Sequence, residues 1–146
     1  MDFSDLSIVV VEPSKAQWRM IEKSLRAEGV DNCQWFSEGH EALEALPRIM
    51  PDLVVSAMYL ADMTGVELVH SIREDDRYEQ TMFMLVSSET DENALDPIRQ
   101  AGVVAILPKP FDHKNLRRAL AATVDFVEPD GDIDNEDLAD LRVLLV

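Results

Sequence analysis

The sequence predicts an α/β fold, a doubly wound five-stranded parallel sheet with helices on both faces. Five short apolar runs lie within the first 110 residues, and they lack the polar alternation of half-exposed strands. Continuous apolar runs of this kind are typical of strands buried on both faces. Segments with helical spacing separate the runs, so strand and helix alternate five times. This alternation predicts right-handed crossovers and a functional crevice at the carboxyl ends of the strands.

Each element has a local signal. The strands are predicted at 8–11, 33–36, 53–57, 82–86 and 103–107. Ser14 is a suitable N-cap for the first helix, and Gly29 is a suitable stop. The apolar positions of the first and second helices are Trp18, Ile21, Leu25, Ala42, Leu43 and Leu46, with Pro47 near the end of the second.

The remaining helices follow the same logic. The third helix has apolar positions at Val66, Leu68, Val69 and Ile72, and the fifth, over 112–127, at Leu116, Leu120 and Val124. The fourth is predicted over 90–102, and Pro97 inside it should kink or shorten that helix.

Composition narrows the functional classes. A formal net charge of −16 over 146 residues disfavours direct binding to nucleic acid or to anionic membranes. Basic or amphipathic protein surfaces are better partners. A single cysteine, Cys33, excludes an internal disulfide, and no apolar run approaches membrane-spanning length. We therefore expect a cytoplasmic protein.

Chemically notable residues fall at or just after the predicted strand ends, namely Glu12, Ala57, Ser87 and Lys109. Gly65 comes eight positions after Ala57, and Lys109-Pro110-Phe111 closes the pattern. Over about residues 5–126 the chain resembles the receiver domain of two-component response regulators, which has a flavodoxin-like fold.

The resemblance implies that Ala57 stands where the family has its phosphoacceptor aspartate. A methyl group cannot attack phosphorus. The family's two acidic magnesium ligands correspond to Glu12 and Pro13 here, so that one carboxylate remains. Because magnesium requires several hard oxygen ligands, we expect no metal, no cofactor and no catalytic residue.

Four further positions of the pocket follow from the resemblance. Lys109 matches the family's lysine, and its bond to Pro110 is expected to be cis, with the ammonium paired to Glu12. Ser87 matches the switch hydroxyl. Ile106 stands where the family usually has a rotating aromatic residue. The pattern predicts a degenerate receiver, or pseudo-receiver, that is not an enzyme.

Two neighbours of Ala57 carry hydroxyl groups. Because strand side chains alternate between faces, Ser56 should point away from the direction taken by Ala57. Tyr59 is predicted to shield the pocket mouth. The three histidines, His40, His70 and His113, show no metal-ligand spacing and should be solvated, whereas Trp18 and Trp35 should lie in the core.

The domain boundaries are predicted from composition. Residues 1–127 form the receiver-like domain, and 128–140 form an acidic, self-repelling linker. Residues 141–146 repeat the character of the first strand, which predicts the start of a second, truncated receiver domain. Asp130, Asp132 and Asp134 resemble the opening of a calcium loop, but later positions of that motif do not match.

The functional hypothesis is a phosphorylation-independent module that acts through protein contacts. Its expected partners are a kinase, or a second receiver or output domain of the same chain. A homodimer face is predicted at Asp96, Arg99, Arg117 and Arg118.

Two alternatives remain open. Ala57 could be an engineered replacement of aspartate in a working receiver, although Pro13 would still remove one metal ligand. A small-molecule binder of flavodoxin-like shape lacks a glycine fingerprint after the first strand.

Overall fold

The five strands form one parallel sheet with the order β2-β1-β3-β4-β5, as the alternation predicts. The computed structural model describes residues 3–87, 100, 103, 105–108 and 113–127. The strands are β1 (Ser7–Val11), β2 (Asn32–Phe36), β3 (Leu53–Ala57), β4 (Met82–Ser87) and β5 (Ala105–Pro108). The predicted fold class is confirmed.

Four helices and one short 3₁₀ helix are described. They are α1 (Lys15–Ala27), α2 (Gly39–Ile49), α3 (Gly65–Arg73), a 3₁₀ helix (Asp76–Tyr78) and α4 (His113–Val127). Helix α4 corresponds to the fifth predicted helix. The fourth predicted helix lies outside the described residues except for position 100.

The sheet separates two apolar layers. One layer joins α1 and α4 to alternate sheet residues, and it includes Trp18, Leu25, Val55, Leu116 and Leu120. The other layer packs α2, α3 and the 3₁₀ helix against the opposite side of the sheet. Strands β1 and β3 are covered on both faces, which explains their uninterrupted apolar sequences.

Helix ends follow the predicted chemistry. The Ser14 hydroxyl accepts a hydrogen bond from the Gln17 N–H, at 3.3 Å. Gly29 follows α1 with a φ of 98°, a conformation that favours glycine. Helix α2 accommodates Pro47 in its last turn and ends at Ile49. Its C-cap residue is Met50, whose φ is 48°.

Strand β2 lies at one edge of the sheet. It pairs with β1 along Ser7↔Asn32 to Val11↔Phe36, and no strand in the described part of the chain pairs with its other side. Every β2 residue is at least partly exposed. We call this outer side the β2 edge.

The predicted linker and terminal strand, residues 128–146, lie outside the described residues. Within the part that is described, no helix has the length and apolar character needed to cross a membrane.

Candidate functional site

The parallel sheet brings Glu12, Ala57 and Ser87 together at the carboxyl ends of its strands. Val11 is in register with Ser56, so Glu12 is level with Ala57 on the neighbouring strand. Ala57 is in turn paired with Val86 on β4, and Ser87 is the residue directly after Val86. The site predicted from strand ends is therefore assembled by β1, β3 and β4.

Glu12 is buried, with 3% of its surface exposed. One oxygen of its carboxylate accepts a hydrogen bond from the Ser14 N–H, at 2.8 Å. Its own N–H donates to the Phe36 carbonyl at 3.0 Å, and its carbonyl accepts from the Trp35 indole N–H at 2.8 Å. The main chain and the carboxylate of Glu12 are thus fixed together at the entry to α1.

Ala57 ends β3 as a buried residue, 6% exposed. Its neighbour Ser56 is fully buried, and the Ser56 hydroxyl donates to the Ala57 carbonyl at 2.8 Å. Side-chain alternation places Ser56 on the α2–α3 side of the sheet, with Val54. The hydroxyl next to Ala57 is therefore engaged by main chain, in agreement with the predicted orientation.

The start of α3, which follows the loop after β3, lies very close to the sheet. The Gly65 N–H donates to the Met58 carbonyl at 2.7 Å. A side chain at Gly65 would place a Cβ 2.7 Å from the Ala57 carbonyl oxygen and 2.6 Å from Leu85. Only glycine fits this approach, which explains the spacing that the sequence shows. Tyr59, in the same loop, is 71% exposed.

Asp62 fastens this loop to the start of α2. Its carboxylate accepts hydrogen bonds from the N–H groups of Gly39 and His40, both at 2.9 Å, and contacts His40 Nδ1 at 2.8 Å. These bonds hold the pKa of Asp62 well below its ordinary value. The hydrogen bond to Asp62 raises the pKa of His40. We call this arrangement the Asp62–His40 clasp.

Sequence reasoning missed the clasp, because it treated His40 as solvated. The imidazole is half exposed, but it has a carboxylate partner. Asp62 lies 22 positions from His40, and no local motif joins them. The only local hint is that Glu38, the residue before α2, makes no side-chain cap.

The two tryptophans form a stacked pair beside the site. The rings of Trp18 on α1 and Trp35 on β2 lie 5.9 Å apart and within 5° of parallel. Because Trp35 also donates to the Glu12 carbonyl, the pair is connected to the end of β1. Its fluorescence should report changes at the site.

The two positions that the resemblance assigns to the switch, Ser87 and Ile106, have different surroundings. The Ser87 hydroxyl is buried and lies 3.5 Å from the Met58 sulfur. Ile106 is partly buried and packs against the apolar layer of α2 and α3. Lys109, Pro110, Asp96 and Arg99 lie outside the described residues, and so does the predicted pair between Lys109 and Glu12.

The other members of the predicted dimer face are on α4. Arg117 donates to the Glu28 carboxylate at 2.7 and 3.3 Å, which raises the pKa of the guanidinium. Arg118 is exposed. Arg117 is thus held inside its own chain by the end of α1.

The donor set does not fit magnesium. Pro13 and Ala57 supply no side-chain ligand, and Glu12 directs one oxygen at the Ser14 N–H. Across the described ranges, no group of three or more His, Cys, Asp and Glu residues could hold a metal ion.

Comparisons with known proteins agree with the fold described above. The family described as "Response regulator receiver domain" matches residues 8–121. Chemotaxis protein CheY-3 of Vibrio cholerae is 27% identical over 116 residues, which cover 80% of this chain and 89% of that protein. The DNA-binding transcriptional regulator NtrC of Escherichia coli is 32% identical over 104 residues, covering 71% of this chain.

The match to NtrC spans 21% of that protein's length, about a fifth. Among solved structures, CheY4 of Vibrio cholerae superposes with a TM-score of 0.74 at 24% identity, covering 81% of this chain and 98% of that chain. At this level of identity, the similarity to CheY4 shows that the two chains share a fold.

Proposed function

The chain belongs to the response regulator receiver domain family, and from this premise we propose that it is a pseudo-receiver that acts through protein contacts without accepting a phosphoryl group. It is a signalling module of the two-component type, and in this proposal it catalyses no reaction.

The observation that carries the proposal is Ala57. This residue is buried at the carboxyl end of β3, level with Glu12, and offers only a methyl group where phosphoryl transfer requires a nucleophile. The nearest hydroxyl in sequence, on Ser56, donates to the Ala57 carbonyl. Neither side chain is suited to attack on phosphorus.

The chemistry of the metal position supports the same proposal. Magnesium normally binds through one or two carboxylates together with water and substrate phosphate. Here the Glu12 carboxylate bonds to the main chain of Ser14, and Pro13 provides no acidic group. Glu12 therefore serves to position the β1–α1 connection.

The partners are proposed to be proteins. CheY-3 is named as a chemotaxis protein and NtrC as a DNA-binding regulator, and the matched region is a small part of NtrC. We propose a kinase, an output domain or a second receiver as the partner of this chain in the cytoplasm, without direct contact to nucleic acid.

A homodimer through Asp96, Arg99, Arg117 and Arg118 stays a prediction. The Arg117–Glu28 pair competes with any contact of Arg117 across a two-fold axis. Light scattering at increasing protein concentration measures the oligomeric state, and a monomer at every concentration contradicts the dimer.

The test of the proposed function is a titration with acetyl phosphate and Mg²⁺, followed by intact mass and by the fluorescence of Trp18 and Trp35. We expect no added phosphoryl mass and no saturable change in emission. A Pro13→Asp/Ala57→Asp variant is the positive control, since it supplies both missing carboxylates.

Three outcomes of this titration bear on the proposed function. Phosphorylation of the unmodified chain contradicts the proposal. Phosphorylation of the double variant alone supports it and shows that the remaining pocket is intact. Full phosphorylation of the single Ala57→Asp variant favours the alternative in which Ala57 replaces a natural aspartate, and the codon of the natural gene then settles that question.

A further inference from the structure

Positive charge is concentrated on one side of this acidic protein. Helices α1 and α4 pack on the same side of the sheet and are joined by the Arg117–Glu28 pair. Together they carry more than half of the 13 Lys and Arg residues of the chain. These are Lys15, Arg19, Lys23, Arg26, Lys114, Arg117 and Arg118, all exposed, and we call them the basic face.

The spacing on each helix aligns these side chains. Lys15, Arg19 and Lys23 recur every four residues, so they form a stripe along one side of α1. No ion pair in the described part of the chain involves any of the three. On α4, Lys114 and Arg118 have the same spacing.

Two acids near the basic face, Glu22 and Glu28, are paired with arginine. Glu22 lies 3.3 Å from Arg26, and Glu28 lies 2.7 Å from Arg117. Helix α4 adds Asp125 near its end. The Lys15–Arg19–Lys23 stripe is therefore left with an excess of positive charge.

The opposite side of the sheet has the reverse character. Exposed acids there include Glu41 and Glu44 on α2 and Glu67 on α3, with Glu74 directly after it. The basic face is thus an exception within a chain of net charge −16. Such a surface attracts an acidic partner.

The chain itself contains a ligand of matching chemistry. Residues 128–140 follow α4 directly and hold seven carboxylates with no Lys or Arg. We propose that segment 128–140 binds the basic face of its own chain. The contact is intramolecular and masks the α1 stripe.

Chain length and attachment favour this occupant. Thirteen extended residues reach about 43 Å, whereas the 13 residues of α1 extend about 20 Å. A segment tethered to the end of α4 meets the neighbouring helix at an effective concentration of roughly millimolar. An external acidic protein must therefore displace it before reaching the stripe.

This inference is independent of the proposed loss of phosphoryl transfer, since no residue of the Glu12–Ala57 site takes part. It shares Arg117 and Arg118 with the predicted dimer face. Its strength should depend on salt, because the Debye length falls from about 10 Å at 0.1 M to about 3 Å at 1 M.

The test places a nitroxide in the acidic segment of the full 146-residue chain. Cys33→Ser removes the native thiol, and Asn135→Cys provides the labelling position. Paramagnetic loss of amide intensity is then measured in ¹⁵N-labelled protein. We expect loss along α1 at low salt, little loss along α3, and recovery of the α1 signals at 1 M salt.

Matched variants and a mixed sample test whether segment 128–140 binds the α1 stripe, and whether it does so within one chain or between two copies. Lys15→Gln/Arg19→Gln/Lys23→Gln should abolish the loss along α1, whereas Arg48→Gln on α2 should leave it unchanged. A mixture of ¹⁵N-labelled chains without nitroxide and unlabelled chains with nitroxide should show no loss.

Several results overturn the proposal. They are equal loss along α1 and α3, loss that survives the triple substitution, or loss in the mixed sample, which assigns the contact to a second copy. Unchanged α3 amide shifts in each variant confirm that the fold is retained.

Discussion

Tyr78 has a buried hydroxyl whose hydrogen-bonding capacity is unused. The residue is 3% exposed, and within the described residues its phenolic oxygen has no hydrogen-bond partner. Its ring is held by apolar contacts and lies under the Arg77 guanidinium at 5.3 Å. A buried, unsatisfied polar group costs about 1–3 kcal/mol.

Tyr78→Phe is therefore expected to raise the free energy of unfolding, by about 1 kcal/mol once the lost packing of one oxygen is deducted. Urea denaturation measures the change as a shift in midpoint at constant m-value. Tyr59→Phe, at an exposed position, is the control and should have no effect. A loss of stability in Tyr78→Phe would show that the hydroxyl is satisfied.

Met50 adopts a backbone conformation that suits glycine. Its φ of 48° and ψ of 62° lie in the left-handed region, which costs about 1–2 kcal/mol for a residue with a Cβ. Met50→Gly should raise the free energy of unfolding by about 0.5–1 kcal/mol, since the strain relieved exceeds the extra freedom of the unfolded chain.

Met20 offers a matched control, because it is also an exposed methionine but lies inside α1. Met20→Gly should lower the free energy of unfolding by about 1 kcal/mol. If both substitutions destabilise the protein, the left-handed conformation at Met50 carries little strain.

At the scale of elements, the start of α2 depends on a group from another part of the chain. The side chain of Glu38 does not cap the helix, and the Asp62 carboxylate takes that role from the β3–α3 loop. A carboxylate at this position also interacts favourably with the helix dipole. The clasp thus connects α2 to the loop that follows Ala57.

The clasp should make stability depend on pH in two directions. The raised pKa of His40 means that its contribution is complete below the ordinary value of 6.5 and is lost as pH rises through the folded-state pKa. The lowered pKa of Asp62 means that its contribution is present above 3.8 and is lost as pH falls through the folded-state pKa.

We therefore expect Asp62→Asn to be most destabilising, relative to the unmodified protein, between about pH 4 and 6.5. His40→Gln should be destabilising in the same window and approach neutrality at alkaline pH. Thermal unfolding across pH measures both profiles, with His70→Gln on α3 as control. A flat profile for His40→Gln would contradict the role of the imidazole.

The sequence predicted those elements whose signals are local. Continuous apolar runs located the strands, and Ser14 and Gly29 marked the ends of α1 because capping acts within a few residues. The site position of Glu12 and Ala57 followed from parallel topology. Contacts between distant segments, such as Asp62 with His40 and Trp18 with Trp35, had no such signal.

The sequence predicts an ion pair between the Glu12 carboxylate and Lys109, which lies outside the described residues, and it does not predict the hydrogen bond of this carboxylate to the main chain. Its hydrogen bond to the Ser14 N–H depends on how β1 turns into α1, which composition and spacing do not specify. In the same way, net charge predicted basic partners for the whole molecule. That Lys and Arg are concentrated on one side of the molecule can be seen only from the packing of α1 and α4 on the same side of the sheet.

At the scale of the whole molecule, net negative charge keeps copies apart. The isoelectric point of about 4.3 implies that this repulsion vanishes under mildly acidic conditions. We expect light scattering by the full chain to rise near pH 4.3 and to fall again on either side. Monodisperse protein at pH 4.3 would show that charge repulsion is not what prevents association.

We expect such self-association to begin at the β2 edge. Its outer backbone groups are unpaired within the described sheet, and neither Pro nor Lys occurs in the strand sequence Asn-Cys-Gln-Trp-Phe to block an added strand. Within the described residues, this edge is protected against an added strand by charge repulsion between molecules, so we expect aggregation to begin there near the isoelectric point. A single edge lysine, introduced as Gln34→Lys, should provide structural protection and widen the pH range in which the protein can be concentrated.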